Sequence, residues 1–166
     1  ILAQTLMGDA SSEVLLGTGS GDLLDGKGGD DLLRGHGGQD LYVFGRGYGR
    51  DTVEEDVSLG VSHVRFNADV SPHDVVVRRA GNDVVFSILG TDDALRFTQL
   101  FRAFDDGLSA FGTVQFDDGT VWGVDDINAR AVLGTAGDDV IQDVKRSGFA
   151  MLSGGAGDDV LAGDRG

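Results

Sequence analysis

Acidic residues and glycines recur at a fixed spacing near the start of the chain, and this combination could bind a hard cation. Four consecutive nine-residue units each begin with glycine and carry an acid at the sixth position. Calcium takes about six to eight oxygen ligands, which carboxylates and backbone carbonyls in tight turns can supply. The pattern therefore predicts calcium sites. The units are 8–16 (GDASSEVLL), 17–25 (GTGSGDLLD), 26–34 (GKGGDDLLR) and 35–43 (GHGGQDLYV), with the acids Glu13, Asp22, Asp31 and Asp40.

The pattern continues imperfectly and returns near the end of the chain. A fifth unit follows a two-residue insertion, with Gly47, Gly49 and Asp51 in the corresponding places. A second block follows much later, in the same phase but interrupted by a degenerate unit. Its complete units are 134–142 (GTAGDDVIQ) and 154–162 (GGAGDDVLA), with the acids Asp139 and Asp159.

Composition supports cation binding and argues against several other classes of function. The net charge is -15, which disfavours nucleic acid and anionic membrane surfaces as partners. Only three of the 28 acidic residues are glutamates, so aspartate dominates more than solubility requires. The chain has no cysteine, which excludes disulfides and thiolate zinc sites. No stretch approaches the roughly 20 apolar residues of a membrane-spanning helix.

The units match the motif GGxGxDxUx and resemble the RTX, or haemolysin-type, calcium-binding repeats. Between the blocks, YVFGRGYGRDT, SPHDVVVRRAGNDVVFSILGTDDALRF and VQFDDGTVW resemble the extension that follows RTX blocks, especially in adenylate cyclase toxin-like proteins. The resemblance implies an all-β fold in which two units form one coil of a parallel β-roll. Units of like parity then stack, and the eighth residue of each unit faces a narrow core.

Stacking of alternate units pairs the acids, and the resemblance implies which oxygens complete each site. We expect the pairs Asp22 with Asp40, Glu13 with Asp31, Asp31 with Asp51, and Asp139 with Asp159. The family implies carbonyl ligands from positions one and three of one turn and two and four of its neighbour. Those for the first pair are Gly17, Gly19, His36 and Gly38. Those for the other pairs are Gly26, Lys27, Gly28, Gly29, Gly47, Gly49, Gly134, Ala136, Gly155 and Gly157.

The stretch between the blocks has the alternation of ordinary β-strands and is expected to cap the first roll and bridge to the second. We therefore divide the chain into a first roll (1–54), a β-rich cap (55–133) and the start of a second roll (134–166). Strands are predicted at 61–66, 75–79, 84–89, 94–98, 112–116 and 120–122, hairpin turns at 80–83 and 117–119, and short helices at 98–104 and 124–131.

The function expected from this pattern is structural: a calcium-binding segment of a larger secreted protein. The resemblance further implies bacterial type I secretion, with the secretion apparatus as a partner and folding on calcium outside the cell. The alternative is an adhesin-like module that binds a host receptor or glycan through the central arginines. An enzyme is not expected, because the histidines and serines show no nucleophile or metal-ligand motif. Those arginines are Arg78, Arg79, Arg96 and Arg102.

Overall fold

A computed structural model describes residues 4–55, 60–80, 82–100, 111–131, 138, 140–142 and 152–162. Two six-stranded sheets contain most of the strands. In spatial order the first consists of β1 (Thr5–Met7), β3 (Leu23–Asp25), β5 (Leu41–Phe44), β7 (Ser62–Phe66), β11 (Phe111–Gln115) and β12 (Val121–Trp122). The second consists of β2 (Val14–Leu16), β4 (Leu32–Arg34), β6 (Arg50–Val53), β10 (Ala94–Phe97), β9 (Asp83–Ile88) and β8 (Val75–Ala80).

The repeats form a parallel β-roll in which alternate units stack. Each three-residue strand follows a six-residue turn, so successive units place their strands in opposite sheets. Strand β3 pairs with β5 in register Leu24↔Tyr42, and β4 pairs with β6 in register Leu33↔Val53. These four side chains have no exposed surface. The prediction that eighth-position residues fill the core is confirmed for them, and burial of each aliphatic side chain contributes roughly 2 kcal/mol.

The same two sheets continue from the repeats into the central stretch. Strand β5 pairs in parallel with β7, and β6 pairs in parallel with β10. In the first sheet β7 also pairs in parallel with β11. Antiparallel pairing follows at the far ends of both sheets, between β11 and β12 and between β10, β9 and β8. The boundary placed at residue 54 is therefore crossed by both sheets, and the roll and its cap share one hydrophobic core.

Aromatic side chains fill the core where the roll meets the cap. Tyr42 of the fourth repeat unit packs edge-on against Phe97, with ring centroids 5.5 Å apart, and Phe97 packs in the same way against Phe111 at 5.3 Å. Further along, Phe116 contacts Trp122 with ring centroids 4.6 Å apart. Aromatic pairs of this geometry contribute about 0.5–1.5 kcal/mol beyond the area that they bury. The last coil of the roll is therefore covered by the cap.

The local predictions for the central stretch are mostly confirmed. All six predicted strands are present within one or two residues of their predicted ends. Strands β8 and β9 pair antiparallel as far as Ala80↔Asp83, the ends of the predicted turn, and the turn 117–119 joins β11 and β12 with Gly119 at φ +86°. The predicted helix 124–131 is α1 (Val124–Ala131), whose start is capped by a hydrogen bond from Gly123 N–H to the Asp126 carboxylate. The other predicted helix, 98–104, extends beyond the described residues.

The second block keeps the parallel pairing of the repeats. Strands β13 (Val140–Gln142) and β14 (Val160–Ala162) pair in register Ile141↔Leu161, which are the eighth positions of their units. Ile141 is buried, whereas Leu161 is exposed. In the described residues of this block, the two paired strands therefore lie 20 positions apart in the sequence. In the described part of the chain, no helix is long and apolar enough to cross a membrane.

Candidate metal centres

The sixth-position acids lie at the ends of the turns, stacked one coil above another. Asp31, Asp40 and Asp51 each accept, through Oδ1, the backbone N–H of the acid in the preceding coil. Asp22 N–H donates to Asp40 Oδ1 at 2.8 Å, Glu13 N–H to Asp31 Oδ1 at 2.8 Å, and Asp31 N–H to Asp51 Oδ1 at 3.0 Å. The structure therefore brings together three of the four predicted pairs. For the fourth pair, Asp139 lies outside the described residues, as do Gly134 and Ala136.

These carboxylates are buried as deeply as the hydrophobic core. Asp31 is 3% exposed and Asp51 is 1% exposed. Their second oxygens, Oδ2 in both residues, are buried and have no hydrogen-bond partner among the described residues. A buried carboxylate oxygen without a partner costs several kcal/mol unless a positive charge compensates for it. The two orphaned oxygens therefore fit a cation bound between these turns.

Glycine at the first position of a unit leaves space in front of the second carboxylate oxygen. A Cβ atom at Gly26 would lie 2.3 Å from Asp31 Oδ2, and one at Gly154 would lie 2.2 Å from Asp159 Oδ2. Both separations are shorter than any real carbon–oxygen contact of this kind, so a larger residue would displace the carboxylate. The repeat therefore requires glycine here for space around the acid.

In units 26–34 and 35–43, the second and fourth positions of the turn hold the backbone in the left-handed region. Lys27 and His36 at position two have φ of 68° and 73°, while Gly29 and Gly38 at position four have φ of 114° and 107°. The second block repeats this in Gly155 and Gly157, with φ of 87° and 128°. A non-glycine residue in this region costs about 1 kcal/mol of stability. Other interactions of the turn must therefore offset this cost at Lys27 and His36.

The stacked acids destabilise one another in the absence of a cation. Burial raises the pKa of Asp51 to about 7, and the neighbouring charges of Asp31, Asp30 and Asp93 act in the same direction. Burial likewise raises the pKa of Asp40 to about 6, reinforced by Glu55 and Asp22. A bound divalent cation would reverse both effects by favouring the ionised carboxylates.

Asp22 and Glu13, near the start of the stacks, differ from the acids deeper in the roll. Burial acts to raise the pKa of Asp22, but hydrogen bonds from the Gln4 and Thr18 amides and the Thr18 hydroxyl outweigh it and lower the pKa. The Glu13 carboxylate is partly exposed and accepts Asp9 N–H at 3.0 Å. These two acids are therefore better satisfied without a cation than Asp31, Asp40 and Asp51.

Backbone carbonyls must supply the remaining ligands. Among the described residues, no group of three or more His, Cys, Asp or Glu side chains is arranged to hold a metal ion. Each site therefore needs carbonyl oxygens beside its two carboxylates, as in the predicted sets. Among the described residues, two predicted carbonyls already accept a hydrogen bond: Gly38 O from Val61 N–H and Gly49 O from Ala94 N–H, both at 2.9 Å. One of the two lone pairs of each carbonyl is therefore occupied.

Glu55 joins the stack of Asp22 and Asp40, although it lies outside the repeats. It accepts a hydrogen bond from the Tyr42 hydroxyl and lies beside Asp40. A Cβ atom at Gly35 would lie 2.3 Å from Asp40 Oδ2 and 2.5 Å from both Glu55 Oε1 and Tyr42 Oη, so three oxygens converge there. The repeat spacing could not identify Glu55, because its position relative to Asp40 depends on the segment between β6 and β7.

Two family models match the chain and together cover the first repeat block, the last unit of the second block and most of the central strands. The model of the RTX calcium-binding nonapeptide repeat, in four copies, matches residues 7–53 and 151–166. The model of the haemolysin-type calcium binding protein related domain matches residues 83–126. The first match contains the stacked acids of the first block, and the second begins at β9 and ends within α1.

Proposed function

We propose that each bound Ca²⁺ links two stacked turns and that folding therefore depends on calcium. The chain belongs to the RTX family, and its repeats bind Ca²⁺ at several sites. In this role the chain is a calcium-binding segment of an RTX protein and acts as a structural element. The single observation that carries the proposal is the pair of buried, unpartnered Oδ2 atoms on Asp31 and Asp51.

We assign the ions to the acid pairs that the structure stacks. The Asp31 and Asp51 pair is the best supported, followed by Asp22 with Asp40 and Glu13 with Asp31. Backbone carbonyls of the stacked turns would complete the coordination, and Asp159 would serve the second block. Calcium supplies positive charge where the carboxylates otherwise repel one another.

Glu55 extends this assignment beyond the repeat acids. Its carboxylate lies next to Asp40 at the end of the even-numbered units, where the next strand provides Ser62 instead of an acid. We assign Glu55 as an additional carboxylate ligand at the level of Asp40. The Tyr42 hydroxyl holds Glu55 there through its hydrogen bond.

Calcium concentration then decides whether the roll folds. Extracellular calcium modules have dissociation constants of about 10⁻⁴ to 10⁻³ M. At calcium concentrations about tenfold above that constant, each ion contributes about 1.4 kcal/mol of stability, so several ions decide the balance for a marginal fold. Low cytosolic calcium would keep the chain unfolded for type I secretion, and extracellular calcium would fold it. The net charge of -15 and the absence of cysteine agree with this route.

A structural role is favoured over a binding surface built on the central arginines. Arg96 is engaged within the fold, where it donates to the Asp83 carboxylate through Nε at 2.7 Å. Arg78 and Arg79 also take part in contacts, and Arg102 lies outside the described residues. We likewise propose that the segment is not catalytic, because no nucleophile or metal-ligand motif accompanies its histidines and serines.

A calcium titration of chelated protein tests the proposal. Far-ultraviolet circular dichroism reports strand formation, and fluorescence reports burial of Trp122, which is 2% exposed in the fold. We expect both signals to change cooperatively with calcium and to respond much less to magnesium, which requires octahedral geometry and gives up its water reluctantly. Native signals in chelator that calcium leaves unchanged would contradict the proposal.

A further inference from the structure

Asp93 is a buried acid that the repeat pattern does not explain. It lies in the loop between β9 and β10, is 6% exposed, and accepts two backbone hydrogen bonds from the fifth turn of the roll. Gly47 N–H donates to Asp93 Oδ2 at 2.9 Å, and Gly49 N–H donates to Asp93 Oδ1 at 2.8 Å. One carboxylate from the cap therefore binds two amides of a repeat turn.

The fifth turn departs from the motif and needs such support. Arg46 stands five residues before Asp51, where the regular units have glycine. Gly47 and Gly49 have φ of 77° and 84°, so the turn adopts left-handed backbone twice within three residues. The strand after the loop completes the contact, because Ala94 N–H donates to Gly49 O at 2.9 Å.

The two hydrogen bonds to Asp93 fix two peptide planes and hence the direction of two carbonyls. In a planar trans peptide the N–H and C=O groups point in opposite directions. Strand β6 lies between β4 and β10, so Asp93 approaches the turn from the side away from the preceding coil. The carbonyls of Arg46 and Tyr48 consequently point back toward that coil, which carries Asp31.

We infer that Asp93 is a positioning residue for the calcium ion between Asp31 and Asp51. It touches neither the ion nor its carboxylates. It holds the fifth turn so that carbonyl oxygens face the site. The inference rests on the proposed function, and it assigns to the cap a direct part in building the last site of the odd-numbered units.

This arrangement also makes the cap and the site depend on each other. A calcium ion between Asp31 and Asp51 would order the fifth turn, and the ordered turn presents its Gly47 and Gly49 amides to Asp93. Calcium binding at this site should therefore favour docking of the β9–β10 loop, and docking should favour calcium binding.

The test compares Asp93→Asn with Asp92→Asn by calorimetric calcium titration. The neighbouring Asp92 carboxylate is almost fully exposed, at 99%, so its substitution serves as a matched control. Loss of a residue that orients metal ligands typically weakens metal binding by about 10- to 100-fold. We expect one ion to be weakened by that factor in Asp93→Asn and none in Asp92→Asn. Unchanged number and affinity of ions in Asp93→Asn would overturn the inference.

A double-mutant cycle with Asp31→Asn separates positioning from a general structural role. If Asp93 acts through the ion at Asp31, its substitution should have little further effect on calcium affinity once Asp31 is replaced. Equal losses of calcium affinity on Asp93→Asn in the wild-type and Asp31→Asn backgrounds would overturn the inference. This comparison holds even if Asp93→Asn alone folds poorly. A wild-type chain that binds no calcium would instead refute the proposed function.

Discussion

Replacing Asp51 with asparagine should make folding less dependent on calcium. Burial raises the pKa of Asp51 to about 7 in the fold, whereas its usual value is 3.8. In the calcium-free protein the folded chain thus retains a proton that the unfolded chain releases. Stability falls as pH rises from about 4 to about 7, and the full loss of about 4 kcal/mol is present above that range. Asparagine carries no charge and removes this loss.

The net gain in stability from Asp51→Asn is smaller than the electrostatic cost that the substitution removes. Asparagine can still accept Asp31 N–H through Oδ1, but its amide group replaces the orphaned Oδ2 and requires an acceptor of its own. An unsatisfied amide costs about 1–3 kcal/mol, so chelated Asp51→Asn should be more stable than chelated wild type by about 1–3 kcal/mol at about pH 8. Calcium should stabilise the variant less than the wild type.

Urea unfolding followed by Trp122 fluorescence measures both effects, in chelator and in millimolar calcium. Where the chelated wild type is already unfolded, the folded fraction without urea serves the same purpose. Asp117→Asn, an exposed change in the β11–β12 turn, is the control and should alter neither condition. The reasoning fails if chelated Asp51→Asn is no more stable than wild type at about pH 8, or if it keeps the full stabilisation by calcium.

Three further predictions concern pH and the group of oxygens around Asp40. In chelator, the folded fraction followed by circular dichroism should be larger at about pH 5 than at about pH 8, because the pKa of Asp40 is raised to about 6 by burial; the opposite trend would count against the stacked acids. Gly35→Ala should abolish calcium-induced folding, since its Cβ would lie within 2.5 Å of three oxygens, whereas Gly19→Ala has nothing within 4 Å and should fold normally. Equal folding of these two alanine variants in a calcium titration would show that the space at Gly35 is unimportant. Glu55→Gln should weaken calcium binding and reduce terbium luminescence sensitised by Tyr42, because a ligand charge next to that phenol is lost; an unchanged terbium signal would remove Glu55 from the site.

The repeat spacing was sufficient to predict the roll, because each unit encodes its own turn and strand. Glycine at position one and an apolar side chain at position eight are local requirements, so the registers Leu24↔Tyr42 and Leu33↔Val53 follow from the spacing. The predicted turns and the helix 124–131 in the cap were also correct, because local turn and capping signals determine them.

The contributions of the cap to the sites could not be predicted in this way. Glu55 and Asp93 reach the turns through long-range contacts, since Asp93 lies 44 and 46 residues from the glycines that it binds. Parallel pairing of β6 with β10 joins segments with no shared motif. Chain spacing predicts which acids stack within the repeats, whereas only the folded sheets show which acids from outside the repeats approach them.

A crystal structure grown in calcium, with an anomalous difference map, tests the central claim most directly. We predict peaks between Asp31 and Asp51 and between Asp22 and Asp40, each with carboxylate and backbone carbonyl oxygens at about 2.3–2.6 Å. Turns that keep their fold in calcium but show no peak between these acids would contradict the account.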